Sequence, residues 1–383
     1  MNLEQFIAHR NGITFWKEFT FTQLKFRVPA GEAELADNVV WFGETALIIQ
    51  MKEREVATDD PEIERKWFDN KVMKAAVRQI KDSLRFLDEN GSIPVANVRG
   101  QELAISQTDL KDIRKIIVYK PGTALPVACR QTQFYISQTA GFAHIIDQAS
   151  YGRVLEILVA PEEIRRYMEY RERALTLLEM ERTHVAEDDL LAAYAMEEVP
   201  TPQSHRALKR LVENAEQWNL SRLLGDLADH IENPDVGQDY SRILIEFAKL
   251  PRAGWYAAKE RINHVARGAA NGEFVQPYRF YFEGSDCSFV FTPIHPNIDS
   301  ATNRDQRGGY LEFVTEAGKY LARAGRGVGV QVTRSGDDVL IDWCLVDKPW
   351  KHDENMEIAA KSLFRPVREK RVDGFLLQAE PTD

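Results

Sequence analysis

The chain has little cysteine: Cys129, Cys287 and Cys344 are the only three in 383 residues. They are far apart and odd in number, which excludes a disulfide-stapled scaffold and a paired-cysteine zinc site and fits a reducing compartment. No apolar run approaches the roughly 20 residues that a membrane-spanning helix needs. The opening Met1-Asn2-Leu3-Glu4-Gln5 has no signal-peptide pattern, so the expected location is cytoplasmic. Internal repeats and low-complexity tracts are missing, as is a Walker-type Gly-Lys-Ser/Thr loop, so ATP-driven activity would need a separate partner. Nor is positive charge in excess. The net charge of −10 excludes a surface coated with basic residues, although it leaves room for a local basic groove.

What is present is concentrated in residues 31–54. Val39 to Phe42 and Ala46 to Met51 are rich in β-branched, aliphatic and aromatic residues, with Gly43-Glu44-Thr45 between them, which predicts an antiparallel hairpin. Side chains alternate along a strand, so Gln50 and Lys52 share one face while Ile49 and Met51 take the other. With Gly43 and Glu44 as a two-residue turn, Asp37 falls directly across from Gln50, roughly 5 Å away at Cβ. A slip of one residue would send Asp37 to the opposite face. A carboxylate and an amide oxygen can hold a magnesium ion, and a neighbouring ammonium can position water or stabilise charge on a phosphate.

Asp37, the hairpin and Gln50-Met51-Lys52 together resemble the PD-(D/E)xK nuclease superfamily, in the Gln-x-Lys variant of Mrr-like restriction enzymes. The resemblance spans roughly residues 1–120. It implies metal-dependent phosphodiester hydrolysis, Asp37 and Gln50 on Mg2+ or Mn2+, Lys52 at the attacking water, and DNA as substrate. Ala36 stands where the family has proline. Gln50 replaces the second acid and removes one charge, which at 4 Å is worth roughly 4 kcal/mol at an effective dielectric near 20. Another acid is therefore expected close by. Glu34 and Glu18 are the candidates, with Glu53 after the motif; Glu34 needs a bend near Gly31 to turn inward, and Glu18 matches the upstream acid such nucleases carry on their first helix.

Around this centre the pattern predicts a short helix over 3–10, a strand over Phe19 to Val28, and a long helix over 64–88. That helix has an apolar stripe of Phe68, Val72, Ala75, Ala76, Ile80, Leu84 and Leu87. Its second stripe is basic: Lys71, Lys74, Arg78, Lys81 and Arg85 recur every three or four residues, a candidate surface for backbone phosphates, although such a stripe taken alone reads first as an ordinary solvated face. Gln79 borders the apolar stripe, where the family often sets a glutamine or lysine near its catalytic lysine; a structural hydrogen bond is the other account. Residues 114–119 and 142–146 read as buried strands.

From Glu162 to about Ile231 the chain is helical and rich in both charges. Arg165, Arg166, Arg171 and Arg173 among Glu162, Glu163, Glu169 and Glu172 read as a solvated, salt-bridged face. Beyond Asn233-Pro234 the pattern gives helices over 240–250 and 254–268, strands over 278–282 and 287–292, a helix over 309–324 and a hairpin over 328–346. Gly325-Arg326-Gly327-Val328-Gly329 follows a helix and enters a strand, the reverse of a dinucleotide loop, and reads as a helix C-cap. His295, Asp299 and the Arg304 to Gly309 loop form a polar cluster best explained as an exposed loop, and Trp343 and Trp350 are core anchors or pocket residues.

The expected architecture is α/β: a nuclease-like mixed sheet flanked by helices over 1–160, a helical middle over 161–233, and an α+β domain over 234–383. The expected function is a Mg-dependent deoxyribonuclease acting against foreign DNA, with a homodimer and a protein partner for the helical or C-terminal part as expected associations. The competing expectation is a nuclease-fold module without strong catalysis that binds nucleic acid or assembles with other proteins, its C-terminal domain acting as a sensor.

Overall fold

A computed structural model describes residues 1–22, 25–28, 31–34, 36–56, 58–208, 212, 215–229, 239–273, 275–294, 304–335, 338–364, 369–372 and 375–378. The chain forms two compact units, Met1–Ala215 and Glu216–Asp383. Among the described residues, no helix is long and apolar enough to cross a membrane.

The first unit starts with α1 (Leu3–Thr14), fastened by a capping box between Asn2 and Gln5. Then follow β1 (Thr20–Thr22), β2 (Lys25–Val28), β3 (Gly31–Glu34), β4 (Asn38–Phe42) and β5 (Thr45–Lys52). The single strand expected over Phe19 to Val28 is divided: β1 joins the main sheet, while β2 and β3 pair with each other as a separate ribbon. After β5 the chain winds through α2 (Pro61–Trp67), a π-helical stretch (Phe68–Ala75) and α3 (Ala76–Asn90). A small hairpin, β6 (Ser92–Ala96) and β7 (Glu102–Ser106), precedes β8 (Asp112–Tyr119). A short α4 (Val127–Arg130), β9 (Phe134–Ser137) and β10 (Gly141–Asp147) complete the sheet.

That sheet has six strands in the order β1-β4-β5-β8-β10-β9. The β1-β4-β5 part is an antiparallel meander, β5-β8 and β8-β10 are parallel, and β9 returns antiparallel. The parallel β5-β8 step needs a crossover, which the 61–90 helix supplies. Its apolar stripe, Phe68, Val72, Ala76 and Ile80, packs on Ile117, Tyr119, Ala143 and Ile145 of the sheet, and Leu87 on Val39 and Ile48. The opposite face is covered by α1 and by α5 (Gln148–Leu158), which pack on each other. There Asn11 donates to Asn38 (2.9 Å) and accepts from the Tyr151 hydroxyl (2.8 Å).

The helical middle is part of this unit up to Ala215. Helices α6 (Pro161–Met180) and α7 (Glu187–Met196) are joined to the sheet through Arg171, which is buried and not on the solvated face that its charged neighbours suggested. Its guanidinium makes a forked pair with Glu187 (2.8 Å) and donates to the carbonyls of Gln133 (3.1 Å) and Ile145 (3.2 Å) and to His144 Nδ1 (3.1 Å). Tyr167 adds a 2.5 Å bond to Glu187. Only an environment that satisfies every N–H makes a buried arginine tolerable.

In the second unit, helices Ser221–Asp229, Asp239–Ala248 and Arg252–Asn271 precede β11 (Tyr278–Phe282) and β12 (Cys287–Pro293). Helix Arg304–Ala322 crosses to β13 (Arg326–Ser335), parallel to β12, and β14 (Asp338–Asp347) returns antiparallel. A last helix, Glu354–Leu363, packs on 304–322, and the hairpin Glu369–Val372 and Phe375–Gln378 extends the sheet beside β11. Gly327 and Gly329 do not cap a helix. They lie inside β13, where a Cβ on Gly329 would come within 2.0 Å of Thr315 Oγ1, so their bareness lets helix 304–322 lie close on the sheet. His295 and Asp299 fall outside the described residues.

His144 predicts a pH dependence. Burial first, then the positive charges of Arg171, Arg114 and Lys115, hold its pKa well below the usual value. The Arg171 bond makes Nδ1 the acceptor, so the ring is neutral with its proton on Nε2. Below about pH 6.5 the unfolded chain takes up a proton that the native ring refuses, so the native state loses up to about 1.4 kcal/mol per pH unit. Urea unfolding of His144→Asn between about pH 7 and about pH 5.5 is expected to show a shallower loss than wild type; parallel curves would refute this.

Candidate active site

The hairpin forms in the register that its turn demands. Phe42 faces Thr45 across Gly43 and Glu44, Gly43 takes a positive φ of 56°, and Asn38 pairs with Ile49, so Asp37 continues the series opposite Gln50. Asp37 thus lies at the open end of β4. Its Oδ2 accepts the Met51 backbone N–H at 2.5 Å and lies 3.6 Å from Lys52 Nζ, which also donates to the Met51 carbonyl at 2.9 Å. Both side chains are largely shielded, 19% and 13% exposed. Lys52 and Gln50 share the face that the 61–90 helix covers, since their neighbours on β8 are Tyr119 and Ile117. Gln50 is 1% exposed, and its Oε1 has no hydrogen-bond partner.

One candidate acid, Glu18, is not brought to this point. Glu18 is buried at the other end of the sheet, paired with Arg99, while its carbonyl accepts from Asn97. In the β1–β4 pairing Thr22 lies opposite Asn38 and Thr20 opposite Val40, so Glu18, in the turn before Thr20, is at the end of β1 away from Asp37. Glu34 belongs to the β2-β3 ribbon, opposite Lys25, and its side chain lies outside the described residues. Glu53 is engaged structurally, accepting from Lys120 (2.5 Å) and from the Leu3 N–H (2.7 Å). Burial raises its pKa, but these bonds outweigh that and leave it below the ordinary value. Among the described residues no group of three His, Cys, Asp or Glu side chains is placed to hold a metal.

A groove of about 470 Å³ opens beside Lys52, lined also by Met51, Glu53, Arg54, Trp67 and Lys71. Arg54 lies over the Trp67 ring (5.9 Å) and reaches the fully buried Glu64 (3.1 Å). Glu64 was missed in the sequence, yet a signal existed: it lies four residues before Phe68, one step back along the apolar stripe, where a charge must be buried and paired.

The five helix cations are all exposed, but they do not form one straight row. The π-helical turn, in which the Ala76 N–H reaches the Lys71 carbonyl, offsets Lys71 and Lys74 around the axis from Arg78, Lys81 and Arg85. Lys71 joins the groove. Arg85 is occupied by Asp82 (3.1 Å), whereas Lys71, Arg78 and Lys81 form no ion pair among the described residues. Gln79 is half-buried with Oε1 unpartnered, on the helix that packs across β5. Comparison with protein-family models, curated proteins and solved structures gives no match.

The orphaned Gln50 oxygen has a measurable cost. Leaving a buried acceptor unpaired is worth about 1–3 kcal/mol, so Gln50→Leu is expected to raise the urea midpoint. A lower midpoint would mean the amide has a stabilising role.

Proposed function

We propose that the first unit is a metal-dependent nuclease that hydrolyses phosphodiester bonds in DNA. The observation that carries this is the meeting of Asp37, just before β4, and Lys52, at the end of β5, at 3.6 Å, with Gln50 next to the last β4–β5 pair, Asn38 and Ile49, and on the same face as Lys52. A divalent cation, Mg2+ or Mn2+, fits the oxygen donors available: the Asp37 carboxylate and the Gln50 Oε1, an acceptor otherwise left without a partner. When bound, it would act as a Lewis acid on the phosphate and make bound water more acidic. Lys52 would hold the attacking water and stabilise the negative charge that builds on phosphorus oxygens. Lys71 in the groove, with Arg78 and Lys81 beyond the π turn, would neutralise flanking phosphates. DNA as the substrate follows from the family resemblance, a homodimer from the two centres that cutting both strands needs, and intracellular defence against foreign DNA from a nuclease unit joined to a large second unit in an acidic chain.

A second reading is favoured by one observation: among the described residues no group of three His, Cys, Asp or Glu side chains is placed to hold a metal, so a cation beside Asp37 would be weakly held. On that reading the unit binds nucleic acid or a partner protein and cuts slowly or not at all.

Incubating the purified chain with plasmid and Mg2+ or Mn2+ separates these. Cleavage is expected, abolished by a chelator, and lowered on the order of 100-fold or more in Lys52→Ala and Asp37→Ala, while Glu44→Ala at the far turn cleaves as wild type. Wild type without cleavage, or Asp37→Ala with full activity, would overturn the catalytic assignment. In binding measurements across salt concentrations, Arg78→Ala/Lys81→Ala should flatten the slope of log K against log salt by about 1.8. An unchanged slope would remove the helix from the DNA interface.

A further inference from the structure

We propose that the second unit carries a nucleotide-binding pocket where the end of helix 304–322 meets the segment after β14. A cavity of about 480 Å³ lies there, within the roughly 300–1,000 Å³ typical of small-ligand sites. Its lining combines two chemistries. Lys319, Lys348 and Lys351 supply positive charge, and Tyr320, Trp350 and His352 supply flat rings. A phosphate attached to a planar base matches both, and neither a bare anion nor a plain aromatic compound does.

Lys319 makes the strongest argument. It is 4% exposed, and its stem is held against the sheet because Gly327 leaves room: a Cβ there would lie 3.1 Å from Lys319 Cβ. Among the described residues its ammonium forms no ion pair. Burial lowers its pKa; Glu316 and Asp286 oppose that, and Lys348 adds to it. The stem is buried while the ammonium is left to the cavity without a salt-bridge partner, and an anionic ligand there would supply one. The nearby acids do not fill that role. Asp353 is committed to the N–H groups of Asn355 (2.9 Å) and Met356 (3.1 Å), and Glu316 lies 3.9 Å from Lys348.

The rings are fixed in advance. Trp350 Nε1 donates to the Tyr320 carbonyl (3.1 Å), the Tyr320 hydroxyl meets His352 Nδ1 (3.1 Å), and the Asp353 N–H donates to that same hydroxyl (3.2 Å). Tyr320 and Trp350 lie 5.6 Å apart at an angle of 34°. A surface already ordered in this way loses little entropy when a base lies on it. Every lining residue belongs to the second unit, so the proposal does not depend on the nuclease reading.

Isothermal titration of the full chain with AMP, UMP, a 5′-phosphorylated tetranucleotide and inorganic phosphate tests this. Saturable binding of a nucleotide is expected, weakened about tenfold or more by Lys319→Met and measurably by Lys348→Gln, with inorganic phosphate at least about tenfold weaker. Tight mononucleotide binding identifies a free nucleotide as the ligand; binding confined to the tetranucleotide identifies a strand end. Lys348 is 58% exposed, so Lys348→Gln folds even if Lys319→Met does not. No nucleotide binding at millimolar concentration, wild-type affinity in the folded variants, or phosphate binding as tightly as nucleotide would overturn the proposal.

Discussion

Everything at the candidate centre depends on a two-residue turn. Gly43 accepts a backbone conformation that a side chain would resist, and with only Glu44 beside it the two strands have a single register. That register sets Asp37 opposite Gln50, brings its carboxylate onto the Met51 N–H, and leaves the Lys52 amine beside it. The bond to Met51 also closes the ladder beyond the last regular pair of β4, so one contact both finishes the sheet and orients the acid.

Much of this was legible because it is local. Alternation and turn length place Asp37, Gln50 and Lys52 without any knowledge of the rest of the chain, and the stripe from Phe68 to Leu87 names the helix face that covers them. What could not be read depends on partners distant in sequence. Glu18 satisfied every local criterion for an auxiliary acid, but Arg99, some eighty positions later, holds it at the wrong end of the sheet. Arg171 stood among alternating charges that are ordinarily solvated. Its burial follows from β10 and Glu187, which no spacing rule connects to it. The π-helical turn was hidden for another reason: its residues have ordinary helical spacing, and only the backbone bonds reveal the wider winding.

The same contrast runs through the second unit. Strand and helix positions followed the hydrophobic period, while the reason for glycine at 327 and 329 is not local, because only packing reveals a helix lying close over a strand. In both units, glycine and buried charge carry information that composition alone hides.

The wider winding between Phe68 and Ala75 has a consequence for anyone altering this chain. Removing one residue from that stretch would restore ordinary helical pitch and leave what precedes it nearly where it is, because the wide turn already holds one residue more than an α turn; the same deletion inside α3 would instead turn everything before it by about 100°. Trp67 and the Arg54–Glu64 pair would then swing away from the mouth of the cleft. The wide turn is thus the place in this helix where a residue can be lost at least cost to the groove.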